Sequence, residues 1–161
     1  MPRKSTFRPR PRRLWQLAGA AALAVLTGCA VEPMSSMDQA PMLAAGKARV
    51  WVYRDFLPGE TMSVPAVAVN EGTVGYAYPG TNFYLDLPAG HYHVTVESYG
   101  KDVNQSQDLD LAPGQQEYVK IMSAPHWVEG VRSFRRETYY ARSVTPRMAS
   151  LEMPLTSYRG N

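Results

Sequence analysis

From Lys47 onward, apolar and polar residues alternate in short runs, the period-two signature of strands with one buried face. In ARVWVYR (48–54), Val50 and Val52 fall on one face and Trp51 and Tyr53 on the other. VPAVAVN (64–70) predicts a second strand, and EGTVG turns the chain into a third, TVGYAY (73–78). PGT (79–81) has turn chemistry. NFYLDLP (82–88) then sets Phe83, Leu85 and Leu87 opposite Tyr84 and Asp86. AG (89–90) leads into HYHVTVESY (91–99), with Tyr92, Val94 and Val96 inward and His91, His93, Thr95 and Glu97 outward. After the polar loop GKDVNQS, the runs QDLDLA (107–112) and QEYVKIM (116–122) flank a PGQ turn. A helical pattern shows only weakly, from Val128 to Arg136. Seven or eight short strands at near-regular spacing predict an all-β fold, a single antiparallel β-sandwich over residues 47–161.

The hairpin FYLDLPAGHYHVTVESYG (83–100) carries a recognisable grammar: a strand ending Leu-Pro, a small residue, Gly, then a strand opening on an aromatic. Leu87, Pro88, Gly90, Tyr92, Val94 and Val96 in this pattern, with ARVWVYR as opening strand, resemble PEGA-type and related periplasmic β-domains. LAPGQQEYVKI (111–121) repeats the same strand–Pro–Gly–strand order. The resemblance covers residues 47–123 and implies a transthyretin-like or immunoglobulin-like sandwich. Families of this kind carry no established catalytic residues, so it implies no enzyme activity and no cofactor. The chain after Ser123 departs from the pattern.

The N-terminal region reads differently. MPRKSTFRPRPRR holds six basic residues and no acid, and the apolar run Leu14–Leu26 is too short for a bilayer, which takes ~20 residues. Basic start, short apolar run and small residues together describe a secretory signal peptide. The run ends in Leu26-Thr27-Gly28-Cys29, which resembles the bacterial lipobox. That resemblance implies cleavage after residue 28, a diacylglyceryl thioether on Cys29 and three acyl chains on the mature N-terminus. Ala30 in place of an Asp retention signal points to the periplasmic face of the outer membrane, with the inner membrane as the alternative. Arg12-Arg13 lacks the flanks of a twin-arginine signal, which favours the general secretory route. Residues 29–46, with Pro33 and Pro41 and no sustained alternation, read as lipidated N-terminus and flexible tether. A short packed helix is the competing reading.

Cleavage changes the charge picture. The whole chain has 17 basic and 14 acidic residues, but six of the basic ones lie in the signal, which leaves a net charge of −3. A basic pI produced by a signal peptide gives no support for nucleic-acid binding. Cys29 is the only cysteine, so its lipidation leaves neither a disulfide nor a thiol nucleophile.

His91 and His93 are the sharpest candidates for chemistry, since i, i+2 positions on a strand point both imidazoles the same way, as some zinc and copper sites require. Glu97 shares their face, and His126 is the only other histidine. Asp108 and Asp110 alternate with Leu109 and Leu111 and read as a solvated face. No Gly-x-Ser-x-Gly elbow or phosphate-cradling glycine loop occurs. Tyr53, Tyr84 and Tyr92 read as strand residues, whereas Trp127, Tyr139 and Tyr140 sit in the less patterned tail. From Gly130 on, six arginines face two glutamates. Arg132, Arg135 and Arg136, with Trp127, form a candidate partner-binding stretch; the alternative is pairing with the acidic faces of the same sandwich. The expectation is a membrane-anchored, non-enzymatic binding or structural module for an envelope protein or cell-wall component. An anchoring lipoprotein of a secretion machine and a metal-binding protein using His91 and His93 are the alternatives.

Overall fold

The computed structural model describes residues 36–58, 61–98, 103–128 and 133–160, without the side chains of 36, 125–128 and 133–137. Among the described residues, nine strands form two sheets: β1 (Lys47–Arg54), β2 (Ala66–Val69), β3 (Gly72–Tyr76), β4 (Thr81–Pro88), β5 (Gly90–Val96), β6 (Gln107–Leu111), β7 (Gln116–Val128), β8 (Ser133–Val144) and β9 (Ser157–Tyr158). One sheet runs β8-β7-β1-β4-β9 and the other β3-β2-β5-β6. Two short helices, α1 (Ser36–Gln39) and α2 (Pro146–Glu152), and a 3-10 turn at Met153–Leu155 complete the described chain. None of these helices is long and apolar enough to cross a membrane.

The alternation sorts the side chains as expected. Ala48, Val50 and Val52 of β1 meet Val67, Val94, Leu109, Val119, Ile121 and Ala141 in a core between the sheets. Phe83 is buried there too, with Leu85, Leu87 and Tyr92 packed against it. Trp51 and Tyr53 point the other way and are equally buried, because α2 and the 3-10 turn lay Ala149 and Met153 over them. The sandwich thus carries a third, partial layer on the five-stranded sheet.

Four features depart from expectation. Pairing is mixed rather than wholly antiparallel: β1 runs parallel to β7, with Trp51 beside Tyr118, and β4 runs parallel to β9. The weak helical pattern over 128–136 gives way to strand from Ser133, since β8 pairs with β7 along a long hairpin. The helix that does form, α2, lies in a stretch where Pro146 and Pro154 look like breakers. Pro146 is instead the first helical residue, where no N–H is needed, and Thr145 caps the turn by accepting from Met148 N. Finally, the segment read as a tether is seated on the domain at Met37 and Ala40, which pack against the Trp51–Tyr53 cluster.

The edge of the five-stranded sheet at β8 is closed by the residues around β6. Tyr139 N donates to Ser98 Oγ at 2.9 Å, Ala141 N to Gln105 O at 2.9 Å and Ser143 N to Gln107 Oε1 at 3.1 Å. Three outward amides that would otherwise template a further strand are thereby satisfied.

Candidate functional site

The outward face of the four-stranded sheet brings together two pairs that looked unrelated along the chain. In the antiparallel register of β5 and β6, His91 lies opposite Asp110 and His93 opposite Asp108. His91 Nδ1 is 2.8 Å from Asp110 Oδ1, and His93 Nδ1 is 2.6 Å from Asp108 Oδ1. Same-face positions on a strand lie ~7 Å apart and cross-strand partners ~5 Å, so the four form a small grid. A carboxylate only accepts, so Nδ1–H donates in each pair and Nε2 of each ring is turned away from its partner.

This grid is solvated: the His91 and Asp110 side chains are 66% and 91% exposed. The hydrogen bond to Asp110, then the charge of that carboxylate, raises the His91 pKa above its ordinary value. The hydrogen bond from His93 holds Asp108 below the ordinary carboxylate range. Glu97 is occupied elsewhere on the face, its Oε2 accepting from Ala66 N at 3.3 Å. Among the described residues, no three His, Cys, Asp or Glu side chains are grouped so as to hold a metal ion. His126 belongs to the other sheet, on β7 opposite Arg135.

The tail residues separate. Trp127 lies opposite Phe134 on the β7–β8 hairpin, and Arg135 and Arg136 are on β8; their side chains, like all of Arg132 and Cys29, lie outside the described residues. Tyr139 is a core residue, 2% exposed, and Tyr140 lies under the Arg142 guanidinium at 5.1 Å. Two of the described tail arginines, Arg142 and Arg159, meet aromatic rings and carbonyls. Arg142 Nη1 donates to Ala141 O and Asn104 O, and Arg159 stacks on Tyr78 at 3.8 Å.

A second polar cluster escaped sequence reasoning because its members are far apart in the chain. Lys120 Nζ contacts Asp55 Oδ2 at 2.6 Å and Glu152 Oε2 at 2.8 Å, and Tyr53 donates to that same Glu152 oxygen at 2.6 Å. Burial would lower the Lys120 pKa, but the two carboxylates outweigh it and raise it. Burial and the bond to Glu152 push the Tyr53 phenol far up. The only signal in the sequence is a lysine set between Val119 and Ile121 at an outward position of β7. Every polar head in the cluster is engaged with another, and together they fasten α2 to β1 and β7.

No family model matches the chain, and no curated protein is similar enough to match it.

Proposed function

We propose that the chain is a lipoprotein, processed before Cys29 and held at the periplasmic face of the outer membrane, whose β-sandwich is a non-enzymatic binding or structural module of the envelope. The observation that carries this reading is the order of parts at the N-terminus: six basic residues, the apolar run Leu14–Leu26, then Leu26-Thr27-Gly28-Cys29. Three acyl chains hold a protein stably at a bilayer where one does so only marginally. The experiment is expression of the full chain in a Gram-negative host with and without a signal peptidase II inhibitor, followed by the mass of the N-terminal peptide. The expected product begins at a diacylglyceryl-modified Cys29, in the membrane fraction, and Cys29→Ala accumulates as uncut precursor. A mature N-terminus elsewhere, with Cys29 as a free thiol, overturns the proposal. Reversible crosslinking in cells tests the module: recovery of no envelope protein and no cell-wall fragment counts against it.

The His–Asp grid favours one second reading. Metal-binding histidines commonly donate their other ring N–H to a carboxylate, and both His91 and His93 are held in this way by Asp110 and Asp108. Equilibrium dialysis of untagged protein against zinc and copper is the check. Binding lost in His91→Ala is expected on this reading, and no binding to the native chain ends it.

A further inference from the structure

We infer that the outer face of α2 and the following 3-10 turn is the surface that rests on the lipid bilayer; this rests on the reading that Cys29 is acylated.

The first ground is the length of chain available. Met37 and Ala40, in and just after α1, pack on the same cluster as Ala149 and Met153. The chain that leads from Cys29 therefore meets the folded domain at Ser36 rather than at Lys47. Seven residue steps span at most ~25 Å, whatever their conformation. α1 and α2 share one layer, on the outer face of the five-stranded sheet. The polar outer face of the other sheet lies beyond a sheet spacing of ~10 Å and a helix thickness of ~10 Å. Rounding the side of a five-stranded sheet adds ~12 Å. That path exceeds the link, so the His–Asp grid is kept off the membrane and the α2 layer is held near it.

The second ground is what the α2 layer shows to solvent. Ala149 and Met153 point inward, fully buried. Met148 and Leu151, at i and i+3 of α2, and Leu155, which ends the 3-10 turn, are 46%, 66% and 83% exposed. Met42, in the link from α1 to β1, is 95% exposed. Exposed Arg147, one turn before Leu151, adds a cation beside the stripe. An apolar stripe with a basic margin suits the boundary between acyl chains and anionic headgroups.

The test uses the full acylated chain. Leu151→Cys and Leu155→Cys are each labelled with a thiol-reactive fluorophore, and Asp110→Cys serves as the reference on the opposite face. The proteins are reconstituted into phosphatidylethanolamine–phosphatidylglycerol vesicles containing nitroxide-labelled lipid. Labels at 151 and 155 are expected to be quenched several-fold more than the label at 110. Equal quenching at all three overturns the inference. Failure of the underlying reading is seen earlier and separately: an unacylated Cys29 takes a second label, which the protein mass reveals.

Discussion

Asp86 faces Arg49 across the β1–β4 register with two parallel hydrogen bonds, Nε to Oδ1 at 2.7 Å and Nη2 to Oδ2 at 2.8 Å. The guanidinium also lies 4.2 Å over the Tyr84 ring, and its side chain is only 5% exposed. Asp86→Ala strands that charge and is expected to cost about 2–3 kcal/mol, less than a fully buried pair because Asp86 is partly solvated. Adding Arg49→Met should recover most of the loss, and denaturant unfolding of both variants checks it; an undiminished deficit in the double variant contradicts the account. Backbone conformation supplies a second test. Asn70 and Glu71, with φ of 47° and 70°, form the two-residue turn between β2 and β3, a geometry that favours Asn-Gly. Glu71→Gly removes a left-handed non-glycine residue and should raise stability by about 0.5–1 kcal/mol, read as a higher Tm. A lower Tm would refute it. Gly80 is the opposite case: its φ is 69° and an added Cβ would come within 3.2 Å of Phe56 Cβ, so only glycine suits that turn. Alternation told which residues face inward, yet it gave no hint of what would meet the charge of Arg54 there. This arginine follows Val50 and Val52 on the inner face and is 1% exposed, its charge met by the carbonyls of Thr61, Ser63 and Ala77.

At the scale of elements, strands were legible and their partners were not. Period-two patterning identifies a strand and its buried face from within the strand alone. Pairing depends on residues elsewhere, so the parallel neighbours of β1 and β4 and the meeting of His91 and His93 with Asp110 and Asp108 appear only in the fold. Helix α2 was hidden by its brevity and its prolines, and its attachment depends on the cluster of Lys120, Asp55, Glu152 and Tyr53. Burial would raise the Glu152 pKa, but the hydrogen bonds from Lys120 and Tyr53 outweigh it and hold it below the ordinary value of 4.5. A carboxyl depressed in the folded state stabilises fully above its unfolded pKa, and that stabilisation is lost as pH falls through the folded value. Stability should therefore decline below about pH 4.5, and Glu152→Gln should flatten that decline in thermal melts taken across the acidic range. An unchanged acid profile in the variant would remove Glu152 from the explanation.

At the scale of the molecule, the C-terminal segment is part of the core. Asn82, fully buried, donates its Nδ2 to Thr156 Oγ1 at 2.6 Å, and its backbone carbonyl accepts from Arg159 N at 2.8 Å. Tyr158 stacks on Tyr84 with ring centres 5.6 Å apart. Truncation after Thr145 uncovers Trp51 and Tyr53 and should abolish cooperative unfolding, with red-shifted tryptophan emission as the readout; a sharp transition in the truncated chain would contradict this. Such dependence gives the position of β1 a kinetic meaning. β1 enters the sheet between β4 and β7, and its register with β7 sets Arg49 beside Gln116. Contacts so distant along the chain form slowly, because a long loop must close before any of them is made. Synthesis delivers β1 first and its parallel neighbour much later. The molecule therefore has a built-in delay: β1 can pair with β4 early, but the five-stranded sheet reaches its final form only after nearly all of the chain has arrived.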